Sequence, residues 1–155
     1  MLTSDLPNLP PAIVMQHLDG LPPATGYSLH VKPLRYRDRP HLSAWTDFEE
    51  RSITLQVPDP FFPFGEVIPY AAKRRPGTGS RSFRFIWLSE GITFRDPCEV
   101  LRFLYLHEWM HWFLKERLGR KSHAETACDR FALRNYTLSV VSEEHAHEAL
   151  RRRRH

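Results

Sequence analysis

Apolar positions along the chain change their spacing twice, and each change predicts a different kind of structure. Residues 1–45 are rich in proline and show no clear period, so they read as an extended arm with a short helix near Ile13 to Leu18. The stretch RSITLQVP then places Ile53, Leu55 and Val57 at alternate positions, one face of a strand that ends at Pro58. DPFFPFGEVIPY is broken by prolines and reads as a loop with pieces of edge strand. SFRFIWLS alternates Phe83, Phe85 and Trp87 against Arg84 and Ile86, which predicts a second strand before Gly91.

Beyond this point the spacing becomes helical. Asp96 suits an N-cap, Pro97 suits the first helical position, and Glu99 completes a capping box. The helix they open is apolar on nearly every side, from Val100 to Leu114, and should run to about Leu118, where Gly119 suits a left-handed cap. Such a helix is expected to be central and buried. Ser122 to Glu125 resembles another capping box and opens a helix to about Leu138. SEEHAHEALRRRR predicts a last helical piece, polar on most sides and loosely attached. These elements predict an α+β fold, a small twisted sheet from residues 50 to 90 packed on two helices. The expected division is an arm over residues 1–45 within the same domain, a core over 46–140 and a polar, basic tail over 141–155.

The central helix raises a chemical question, because His107, Glu108 and His111 lie in the middle of its apolar run. Titratable groups are costly to bury unless something compensates them. Residues four apart share a helix face, so both imidazoles can reach one metal ion from the same side. Glu108, one residue round the helix, is placed to serve a water on that ion rather than to ligate it. This is H-E-x-x-H in the helical context its chemistry requires: zinc acidifies water, and the glutamate takes the proton and passes it on. The competing explanation is a pair of core histidines satisfied by hydrogen bonds. A third ligand is available in HAETACDRFAL, where Glu125 and Asp129 are again four apart.

H-E-x-x-H followed by E-x-x-x-D-x-F-A resembles the gluzincin group of zinc metallopeptidases, and in particular the ImmA/IrrE-type and HtpX-type catalytic cores. Residues 97 to 135 carry the resemblance, with Cys128 where a small residue is usual. It implies that Glu125 is the third zinc ligand and that Asp129 holds a zinc-bound histidine from behind, fixing its tautomer. Read by helix geometry alone, the third ligand stays open between Glu125, Asp129 and His123. The short connection after His111 brings Asp129 nearer its level, and Glu125 also suits a cap. The metzincin pattern is excluded, since Leu114 and Arg117 stand where its glycine and third histidine would be.

Peptide hydrolysis also needs a donor for the developing oxyanion. Tyr136, Arg134, His123, His145 and His147 are the candidates, with Tyr136 and His123 foremost. The strand Phe83 to Leu88 is the candidate for aligning an extended peptide by main-chain pairing.

Composition adds little beyond limits. The chain has 155 residues, 41% apolar and 26% charged, which suits one globular domain. It has no run long enough to span a membrane and no recognisable secretory leader, so a cytoplasmic location is expected. Cys98 and Cys128 form no Cys-x-x-Cys pair and are expected to be buried thiols. The net charge of +4 is concentrated in Lys73 to Arg84 and Arg151 to Arg154. Those segments are either solvated or contact nucleic acid or an acidic partner. The leading expectation is a zinc endopeptidase acting on a peptide or protein substrate, its Pro-rich arm able to shield the cleft. The alternatives are a zinc-stabilised regulatory or nucleic-acid-binding protein, and a SprT-like protease acting on DNA-bound proteins.

Overall fold

The computed structural model describes residues 1–34, 43–58, 72–75, 84–87, 94–120 and 125–151. They form an α+β structure in which a four-stranded mixed sheet packs against two helices. Strands β1 (Leu2–Ser4), β2 (Ser28–Leu34), β3 (Ser43–Asp47) and β4 (Ser52–Pro58) lie in the order β1-β2-β4-β3. β1, β2 and β4 run parallel, and β3 closes the edge antiparallel to β4. A helix, α1 (Pro11–His17), makes the crossover that parallel β1 and β2 require.

The proline-rich segment is thus part of the sheet, where the sequence suggested an extended arm. Its signal was the alternation of Leu29 and Val31, masked by Pro33. Proline is tolerated there for a specific reason. The β1 side of β2 is used by Leu29 N–H, which donates to Met1 O, and by Val31 O, which accepts from Asp5 N–H. β1 has ended by Pro33, so its missing N–H leaves no ladder bond broken. In β4, Ile53, Leu55 and Val57 are all buried, as their alternation predicts. The hairpin from β3 to β4 turns on Asp47, whose Oδ1 accepts from Glu49 N–H (3.0 Å) and Glu50 N–H (2.9 Å).

Two further strands, β5 (Ala72–Arg75) and β6 (Arg84–Trp87), pair antiparallel as a separate sheet, with β6 lying against β3. The expected strand at Phe83 to Leu88 therefore exists over Arg84–Trp87. The loop expected over residues 59–70 lies outside the described residues.

Helix α2 (Pro97–Trp112) is capped as its sequence predicts: Asp96 Oδ1 accepts from Glu99 N–H at 2.9 Å, with Pro97 in the first turn. Glu99 reaches one residue further back than a capping box requires, accepting from Arg95 N–H at 2.7 Å. Every residue from Val100 to Leu114 is buried. The helix continues past Trp112 as a wider π turn over Phe113–Arg117, where Leu118 N–H donates to Phe113 O. Gly119 then takes the left-handed conformation, φ 63°, and ends it.

Helix α3 (Glu125–Asn135) buries Ala127, Cys128, Phe131 and Ala132 against α2, with Phe131 stacked on Trp109. The capping box expected at Ser122 lies outside the described residues. Helix α4 (Glu143–Leu150) is packed rather than loose. Ala146 and Ala149 are fully buried, and an apolar stripe only two alanines wide is easy to overlook in a polar sequence. Among the described residues, no helix is long and apolar enough to cross a membrane.

Candidate metal centre

The site forms where the buried middle of α2 meets the first turn and a half of α3. His107 and His111 project from successive turns of α2, their ring centroids 5.2 Å apart. Glu125 opens α3 and spans both: Oε2 lies 3.3 Å from His107 Nε2, and Oε1 lies 3.0 Å from His111 Nε2. The π turn and the left-handed Gly119 end α2 six residues before Glu125. One donor atom from each of His107, His111 and Glu125 lies within 4.8 Å of the others, and the three can hold a metal ion.

The fit can be tested on the atoms themselves. Ligands on a tetrahedral zinc with bonds of about 2.0–2.1 Å stand about 3.4 Å apart, a spacing approached by each histidine nitrogen and its nearer Glu125 oxygen, 3.3 and 3.0 Å. Both carboxylate oxygens of Glu125 and Oδ1 of Asp129 are buried, yet among the described residues none makes a well-aligned hydrogen bond. They face imidazole nitrogens at contact distance but in poor hydrogen-bond alignment, as atoms converging on a shared cation would. Charge points the same way. Glu108, Glu125 and Asp129 bring three carboxylates around His107, and buried negative charge on this scale needs a positive counterpart. Two imidazoles and a carboxylate suit zinc.

Without an ion, protons take that part. Burial alone would lower the His107 pKa, but the carboxylates of Asp129, Glu108 and Glu125 that face its ring outweigh it and hold the group well above the usual imidazole range. Burial would raise the Glu125 pKa, and the two histidines instead pull it down to about 2. The buried Cys128 thiol is pushed up by desolvation and then by Glu125, Glu108 and Asp129, so it stays protonated.

Glu108, only 2% exposed, is held at both ends of its carboxylate. Oε2 lies 2.9 Å from His107 Nδ1, and Oε1 accepts from Thr46 Oγ1 at 2.8 Å. Asp129 Oδ1 lies 3.1 Å from His107 Nε2, the nitrogen that also faces Glu125. The other ring nitrogen of His107 faces Glu108.

The remaining candidates are spread out. Tyr136 packs edge-on to Phe94 and Phe103, and burial followed by the charge of Glu99 raises its hydroxyl pKa. Its ring thus packs at the level of Phe103, one turn before His107 on α2. His145 caps α4, its Nδ1 accepting from Ser142 N–H at 3.0 Å, and His147 stands edge-on to Phe113. Arg134 is exposed. His123 lies outside the described residues, as do Arg152 to Arg154 and the side chains of Lys73 to Arg84. Thr46 was not anticipated. It lies sixty-two positions before Glu108, and only folding brings the two together.

No protein-family model, no curated protein and no solved structure matches the chain.

Proposed function

We propose that the protein is a zinc-dependent metallopeptidase of gluzincin type that hydrolyses peptide bonds. His107, His111 and Glu125 would hold the ion. When bound, zinc supplies Lewis acidity, acidifying water and polarising the scissile carbonyl. Glu108 accepts the proton of the attacking water and returns it to the leaving amine, the role of a general acid–base carboxylate. Its bonds to Thr46 and His107 leave a lone pair on each oxygen, so it can accept that proton while fixed in place.

The observation that carries the reading is a buried glutamate, one residue from a ligand histidine, beside a His/His/Glu donor set. A purely structural zinc site has no proton to move and would use Glu108 only to hold the His107 ring through Nδ1. A second reading has one observation in its favour. Asp129 offers a further carboxylate at His107, and four protein donors characterise closed, structural sites. The protein would then be a zinc-stabilised binding module.

One experiment separates them. Wild type and Glu108→Gln, both zinc-loaded, are assayed on a mixed peptide library by mass spectrometry. The peptidase reading expects cleavage by wild type, reduced at least about 100-fold in the variant, with equal metal content. Full metal content with no cleavage by either protein would favour the closed site.

A further inference from the structure

We propose that Thr46 is the positioning residue for Glu108, an inference that rests on the peptidase reading above. Thr46 stands on β3, the antiparallel edge strand, and is 8% exposed. Its single hydroxyl proton has two acceptors in reach, Glu108 Oε1 at 2.8 Å and the Glu108 backbone carbonyl at 3.2 Å. The shorter contact goes to the ionisable oxygen, where a charge-assisted bond is the stronger of the two.

The other carboxylate oxygen is engaged by His107 Nδ1 at 2.9 Å. One partner on each oxygen fixes the plane of the carboxylate, which a single partner would leave free to rotate. Thr46 is well suited to the task. It is β-branched, so its χ1 is restricted. Its backbone is paired to Ile53 of β4, a central strand whose Ile53, Leu55 and Val57 are buried, so the hydroxyl is aimed from a rigid platform rather than a loop.

The arrangement also links two parts of the fold. α2 carries the metal donors and the base, while the sheet sets the direction in which the base faces. Threonine at this position therefore does more than fill space on β3, and the function lies in its hydroxyl.

The test uses the full chain with Co(II) in place of zinc and acetohydroxamic acid as probe. The probe binds as its anion, binding is strengthened where a neighbouring carboxylate takes the proton that it loses, and the visible spectrum of cobalt reads this without any substrate. Thr46→Val, which keeps shape and removes the hydroxyl, is expected to weaken probe binding about tenfold or more, the worth of a hydrogen bond to a charged group. Metal content should be unchanged, and Thr46→Ser should restore binding to within about threefold. In a Glu108→Gln background, Thr46→Val should add nothing, because the hydroxyl acts through the carboxylate. Thr46→Ala serves as a second hydroxyl-free variant if Thr46→Val does not hold metal. Equal probe binding by Thr46→Val and wild type would overturn the proposal, as would a full additional loss in the Glu108→Gln background. Equal binding by Glu108→Gln and wild type would instead remove the base reading on which it rests.

Discussion

At the residue scale, the structure replaces one compensation with another. His107 is fully buried and surrounded by three carboxylates, and without a cation it is held protonated well above the usual range. A metal ligand must be neutral at the bonding nitrogen, so ion and proton compete. We expect zinc uptake at neutral pH to release a proton from His107. Calorimetric titration in two buffers of different ionisation enthalpy would show an apparent enthalpy that changes with buffer, and a buffer-independent enthalpy would contradict it. The signs for the metal-free protein follow from the same groups. Glu125, lowered to about 2, stabilises the fold above the ordinary carboxylate pKa, and that contribution is lost as pH falls toward 2. His107, raised, contributes below its ordinary pKa of 6.5, and that contribution is lost as pH rises through the raised value. Metal-free protein should therefore weaken at both ends of the pH range, and urea midpoints across pH would follow that curve.

At the element scale, the helix that carries the donors is held by a buried arginine. Arg102 is 8% exposed and, among the described residues, donates to backbone carbonyls: those of His17 (3.0 Å) and Asp19 (2.7 Å) at the end of α1, and those of Tyr136 (3.1 Å), Leu138 and Ser139 after α3. It joins α2 to the end of the ligand helix and to the N-terminal segment. Beside it, Gly20 has φ 82°, and a Cβ there would collide with the carbonyl of Ser139. Arg102→Leu should destabilise the protein by about 3 kcal/mol or more, since each stranded carbonyl costs about 1–3 kcal/mol. The melting temperature should drop by roughly 6–12 °C. A loss below about 1 kcal/mol would show that the clamp is not needed. Legibility in the sequence follows the reach of the interactions. The caps of α2, its burial, the left-handed Gly119 and the face of β4 are local patterns and could be read directly. β1 and β2 were hidden by proline, because only the sheet shows which side of Pro33 needs no N–H. α4 was hidden by the smallness of Ala146 and Ala149. His107, Glu108 and His111 were legible through spacing, whereas Thr46 was not, since nothing near it in the chain marks a hydroxyl for Glu108.

At the scale of the whole molecule, charge is divided. The donor cluster collects acidic groups, while the positive charge gathers in Lys73 to Arg84 and Arg151 to Arg154. We propose these basic segments as a contact for nucleic acid or an acidic partner, in keeping with an activity directed at proteins on DNA. Binding to a short duplex should then be measurable at about 50 mM salt and fall steeply by about 200 mM. No binding at the lower salt would end that idea without touching the metal centre.

The central claim is that a metal ion compensates the buried His107, His111 and Glu125. Metal content per chain, measured for wild type and Glu125→Ala purified side by side, tests it most directly. One zinc per chain in wild type, lost or much weakened in the variant, is the predicted result. No zinc in wild type, even after incubation with the metal, would contradict it and make the cluster a hydrogen-bonded feature of the core.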